Sequence, residues 1–260
     1  MEEKDNMLHS KHPMRFLLMV FCLLLGYAAD GQAAPCVAPD NGGGTANMPE
    51  SCAYVGGNMQ ITDGLPVGDT IVLNAPLLTN HTNVARTPGG VYLGGEDVAF
   101  DTEMFSLSLT GTGTLSGFST TLNIPMIALV SNAPRTPGLA VQSFDSNLER
   151  LLGQLPLGDP DFDLLRIVAG TDFGLGSPGH TTLTQTTGGD WSVDSVFDIT
   201  YRIDFVGAYG SSLDGYSGST IGATLFSSQA MTPVPEPSSL FLIGNGLIGL
   251  IGLARKRSLS

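Results

Sequence analysis

The sequence predicts a mostly β protein, an antiparallel β-sandwich or jelly-roll with one short helix. Three observations point there. Glycine and proline are abundant, at 34 and 16 residues, while only 13% of residues are charged. That composition favours strands and turns over helix. Several segments alternate apolar and polar residues with the two-residue period of a half-buried strand. Gly- and Pro-rich turns separate runs of five to ten residues, the spacing of a two-layer β domain.

The elements follow in chain order. Thr70-Ile71-Val72-Leu73 reads as a strand after the turn Asp63-Gly64-Leu65-Pro66. Phe105, Leu107 and Leu109 alternate with Ser106, Ser108 and Thr110 and are expected on one face. Thr121 to Ser131 gives another strand, interrupted at Pro125, and Leu164 to Val168 a further one. Between these lies the expected helix, Asn147 to Leu155. Leu148, Leu151, Leu152 and Leu155 fall there at helical spacing, and Asp145 or Ser146 can cap it.

Thr181 to Val206 carries the strongest pattern. Thr181 to Gln185 leads through Gly188-Gly189 into a long strand from Trp191, which marks a hairpin. In that strand Phe197, Ile199, Tyr201, Ile203 and Phe205 share one face, and Asp198, Thr200, Arg202 and Asp204 the other. Five large apolar side chains, each stabilising by about 1.5–3 kcal/mol when buried, must cover a core. The polar face is expected to be wet, as in an antiparallel sheet.

Both ends differ in kind from this β region. Phe16 to Ala29 is an apolar run preceded by Lys11 and Arg15 and followed by Gly31, Ala33 and Ala34, the order of a secretory signal peptide. It spans about 21 Å, short of a bilayer core of about 30 Å. Removal near Ala33 or Ala34 is expected. Glu2, Glu3 and Asp5 cancel the early lysines, so translation is expected to start at Met7 or Met14. Cys22 lies inside the signal behind bulky Phe21, which argues against lipidation. Cys36 and Cys52 remain after export, and an even count in an oxidising compartment suggests a disulfide. The residues between them are turn formers, so the bridge is expected to pin a leader without a core.

At the other end, Val234-Pro235-Glu236-Pro237 precedes the apolar run Leu240 to Ala254 and the basic cluster Arg255-Lys256-Arg257. The cluster should stay cytoplasmic. Motif, apolar segment and basic end together closely resemble the PEP-CTERM sorting signal. That resemblance implies recognition by exosortase, a membrane cysteine transpeptidase, after export through signal peptidase. It also implies transient insertion in the inner membrane through the apolar helix, and a Gram-negative bacterium that makes exopolysaccharide. The expected organisation is a signal peptide over 1–34, a Gly/Pro-rich leader over 35–62, an exported β domain over 63–230 and a sorting tail over 231–260.

Charge narrows the partners. Between Pro35 and Val234 five arginines face nineteen Asp and Glu. Such a surface repels phosphate backbones, so no nucleic-acid partner is expected, whereas exopolysaccharide is compatible. No catalytic residue and no cofactor are expected. Gly174 to Gly179 matches GxGxxG, but Pro178 and a Thr-rich strand follow, not a helix. His81 and His180 could each serve a Ser-His-Asp triad, yet no G-x-S-x-G elbow is present. Asp159, Asp161 and Asp163 cluster as calcium candidates, although Leu164 and Gly170 break the EF-hand pattern. Trp191, Tyr209 and Tyr216 are candidates for stacking on sugar rings. The expected function is a noncatalytic structural or glycan-binding module of the envelope or exopolysaccharide matrix. The alternative is a secreted hydrolase acting on matrix polysaccharide or esters.

Overall fold

The computed structural model describes residues 35–49 and 51–230. The expected signal peptide, Cys22, the sorting motif, the apolar segment and the basic tail lie outside the described residues. Twelve strands run through the described part: β1 (Cys36–Ala38), β2 (Cys52–Gly56), β3 (Met59–Ile61), β4 (Ile71–Asn74), β5 (Leu77–Pro88), β6 (Glu96–Gly111), β7 (Ser119–Asn132), β8 (Val141–Gln154), β9 (Phe162–Ala169), β10 (Pro178–Gln185), β11 (Trp191–Gly207) and β12 (Ser217–Ala230). Every pairing among them is antiparallel.

The pairings close on themselves. They run β2–β5–β6–β7–β8–β10–β11–β12 and back to β2. The sheet therefore wraps into a sandwich-like ring around one apolar core. Between β8 and β11 the ring is filled by two strands end to end. β10 pairs with Val141–Asn147 of β8, and β9 with Leu151–Gln154. Closure leaves few free sheet edges, which suits a sequence rich in β formers.

β11 is the axis of the core. Its predicted apolar face is buried, with Phe197, Ile199, Tyr201, Ile203 and Phe205 each at most 7% exposed. The hairpin before it forms as expected, with Gly189 at φ +91° and the Thr186 N–H donating to the Asp190 carbonyl at 2.7 Å. The inward rings lie over glycines of the neighbouring strands. Phe197 faces Gly179, Tyr201 faces Gly222, and Phe226 of β12 faces Gly56. A Cβ at Gly222 would come within 2.4 Å of the Tyr201 hydroxyl. Part of the high glycine content is thus space for aromatic rings.

Four sequence expectations need correction. Residues 147–155 are not helical; all but Leu155 belong to β8. A bulge opposite Leu129 and Val130 inserts Glu149, because Val130 pairs with Leu148 and Leu129 with Arg150. The extra residue puts Leu148 and Leu151 on the same side three positions apart, which imitates a helical stripe. Glu149 turns inward, 2% exposed. Its carboxylate accepts from Ser131 at 2.5 Å, Asn147 at 2.8 Å and Thr171 at 2.7 Å.

Phe105 does not share the face of Leu107 and Leu109. A second bulge between Met104 and Leu107 leaves Phe105 42% exposed, with Ser106 at φ +48°. β7 runs unbroken through Pro125, which pairs with Glu103.

The leader is not a coreless appendage. β1 pairs with β11 and β2 with β12. Ala38, Ala46 and Met48 are buried in the main core. Side chains fasten it: Thr45 Oγ1 donates to Gln142 Oε1 at 2.7 Å, and Arg86 Nη2 to the Met48 carbonyl at 2.6 Å. The Cys36–Cys52 disulfide is present, with the Cα atoms 5.4 Å apart.

Candidate functional site

The predicted site residues scatter. Trp191 is wholly buried, and its indole N–H donates to Asp40 Oδ2 at 2.9 Å. It therefore offers no face to a sugar, a correction that follows from its inward position at the start of β11. That donor and the Gly42 backbone N–H hold the Asp40 carboxyl below its usual range. Tyr216 packs partly buried against the core, whereas Tyr209 stands 93% exposed beyond β11.

Asp159 Oδ1 accepts from the backbone N–H groups of Asp161 and Phe162, at 2.9 and 3.0 Å. This is an Asx turn. Among the described residues no group of three or more His, Cys, Asp or Glu is gathered as a metal would require. The GxGxxG run is a turn feeding β10, with Gly174 at φ +71°. Arg202 pairs with Asp204 at 3.3 Å, and Arg166 reaches the same carboxylate at 2.7 Å. Burial raises the Asp204 pKa, but Ser219 and the two arginines outweigh it and lower the net value.

His81 lines a narrow, partly open pocket of about 50 Å³ with Tyr54, Phe100, Thr181, Ser195 and Phe197. Its Nε2 lies 2.8 Å from the Cys52 carbonyl, so that nitrogen carries the hydrogen. Nδ1 is buried with no hydrogen-bond partner among the described residues. Burial pushes the imidazole pKa down, opposed by the Cys52 carbonyl, and pushes the Tyr54 phenol up to about 12. The pocket is about the volume of one or two waters; a space of about 150 Å³ is needed to admit benzene. It is too small for a sugar ring.

His180 has a different setting. It projects from β10 onto the outer face and sits directly opposite Asp145 of β8. Its Nδ1 is 3.0 Å from Asp145 Oδ1, and its Nε2 is 2.7 Å from Ser143 Oγ. The Thr182 hydroxyl lies 3.2 Å from the same Ser143 oxygen. Ser143 and Asp145 point the same way because they are two residues apart on one strand. The sequence signal for this chain was the alternation Ser143-Phe144-Asp145 beside His180-Thr181-Thr182. The helical spacing after Asp145, which reads that residue as a cap, hides it.

The fold and its disulfide define a bridged, closed antiparallel β body. The class of protein comes from the tail. Residues 233–257 match the model of the PEP-CTERM protein-sorting motif, so the chain carries the signal of an exported protein processed by exosortase at the membrane. No curated protein and no solved structure matches the chain. Among the described residues no helix is long and apolar enough to cross a membrane.

Proposed function

We propose that the β body works by contact, as a structural or glycan-binding module in the envelope or exopolysaccharide layer of a Gram-negative bacterium. The observation that carries this reading is the sorting motif at 233–257 attached to a closed β body. The pocket beside His81, about 50 Å³, is too small for a sugar ring, which leaves the outer faces to meet a polymer. Those faces are acidic and suit neutral glycans better than phosphate-rich partners. Tyr209, fully in solvent, is the stacking residue this reading relies on. Signal peptidase and exosortase act on the ends, and the module itself calls on no cofactor. One observation, the Ser143–His180–Asp145 chain, favours adding ester hydrolysis to this role.

The test follows the protein in cells that make the polymer. Wild-type protein is expected in the matrix fraction, with a mass lacking the signal and the tail. Deletion of residues 233–257 should divert it from that fraction. On a column of the native exopolysaccharide, retention should drop for Tyr209→Ala. A protein retained in the inner membrane at full tail length would overturn the sorting part. Unchanged elution of wild type relative to an unrelated acidic protein would remove glycan binding.

A further inference from the structure

We propose that Ser143, His180 and Asp145 form a nucleophile–base–orienting chain with which the β body hydrolyses neutral carboxylic esters. The inference goes beyond the contact role and stands or falls apart from it.

Three features carry it. The first is the order of the hydrogen bonds. A carboxylate only accepts, so the contact of 3.0 Å to Asp145 places the imidazole proton on Nδ1. The Nε2 lone pair is then left to accept the Ser143 hydroxyl at 2.7 Å. This is the tautomer and sequence of contacts that activates a serine, with both ring nitrogens occupied by the partners the chemistry needs.

The second feature is rigidity. β8 and β10 pair continuously from Val141 to Asn147 and from Pro178 to Thr184. Beneath the outer face, Ser146, Thr181 and Ser195 form a buried hydroxyl chain, with contacts of 3.2 and 2.8 Å. The side chains above it therefore project from a fixed base, as a catalytic constellation requires.

The third is the surroundings. The Thr182 hydroxyl, beside Ser143 Oγ, is placed to donate to a carbonyl oxygen that becomes charged. Val141, two residues before Ser143, and Val196, paired with His180, are exposed apolar neighbours. They offer contact to a short acyl chain. Asp194, paired with Thr182, and Asp145 place negative charge nearby, which disfavours anionic substrates. His180 and Asp145 are exposed, 55% and 80% by side chain, so a polymer can reach the face. It therefore suits an ester that projects from a chain, such as an O-acyl group on a neutral glycan.

The step balances without a further reactant. Ser143 Oγ bonds to the ester carbonyl carbon while its proton passes to His180 Nε2. The carbon–oxygen bond to the alcohol breaks, and that oxygen takes the proton from Nε2. Water then attacks the acyl-serine with His180 as base, releasing the carboxylic acid and restoring Ser143. Solvent reaches the whole chain, since His180 and Asp145 side chains are 55% and 80% exposed. The gain is therefore expected near the low end of the range for general base catalysis, about 100-fold.

The experiment uses the mature exported protein. p-Nitrophenyl acetate and butyrate report turnover, and an alkyl fluorophosphonate followed by peptide mapping reports the nucleophile. Wild type should turn over both esters and take the phosphonate on Ser143. Ser143→Ala should abolish labelling and lower turnover about 100-fold. Asp145→Asn should also lower turnover while Asp145→Glu largely restores it, at unchanged melting temperature, which a structural role for this exposed residue would not produce. Thr182→Val should slow turnover without preventing labelling. Absence of labelling in wild type overturns the proposal. So does equal turnover by Ser143→Ala, because an exposed imidazole alone would then account for the hydrolysis.

Discussion

Replacing Cys36 and Cys52 together by alanine removes the covalent link between β1 and β2. The link closes a loop of sequence separation 16. In the chain-entropy account, loss of that closure costs about 3 kcal/mol, by freeing the unfolded chain. Both sulfurs are fully buried, so the alanines also leave small voids that add to the loss. For a domain of this size, 1 kcal/mol moves the melting temperature by about 2–4 °C, giving an expected fall of about 6–12 °C. β1 is most exposed to the loss, because its sheet pairing is the three residues matched to Val193, Ser192 and Trp191. Differential scanning calorimetry of the double variant measures the shift, and wild type under reductant should follow it. The single tryptophan, Trp191, sits under this leader, so its emission should red-shift early in the melt of the variant. A melting temperature within about 2 °C of wild type would falsify the reasoning. It would mean that the loop is held in both states by something other than the bridge.

Three further outcomes are expected. Gly222→Ala should destabilise by about 1–3 kcal/mol, because its Cβ meets the Tyr201 hydroxyl, itself an acceptor for the Gln60 N–H at 2.9 Å; urea unfolding measures it. Trp191→Ala should cost about 3–5 kcal/mol, while Tyr209→Ala stays within about 0.5 kcal/mol, in the same assay. His81 has a folded pKa below its ordinary 6.5, so its contribution is complete above that value. As pH falls below 6.5 the unfolded chain takes the proton first and stability declines, until the folded imidazole also titrates. His81→Gln should flatten that part of the melting-temperature profile.

Much of the fold was legible because strand alternation is a local property. The inner face of β11 and its hairpin can be read from neighbouring residues, and the bridging of Cys36 to Cys52 from the even cysteine count after export. The bulges could not. Glu149 and the Phe105–Ser106 pair break alternation at points set by the partner strand. The stripe Leu148, Leu151, Leu155 then fits a helix as well as a bulged strand. The packing of the leader is hidden from the sequence for a related reason. Its turn formers have no core among themselves, and the partners that hold it, Gln142, Arg86 and β11, come from far along the chain.

The residues by themselves determined that the chain is exported and sorted, since the tail over 233–257 is a contiguous segment recognised as a linear pattern. They also determined that the middle is mostly antiparallel β, since the period of two is written into strands such as β11. Only the tertiary structure decided which strands meet and in what register. That decision buried Trp191 and left Tyr209 in solvent. It also set His180 against Ser143 and Asp145, residues 37 and 35 positions away. Registers of that kind arise from closing the sheet around a shared core, and no local pattern encodes them.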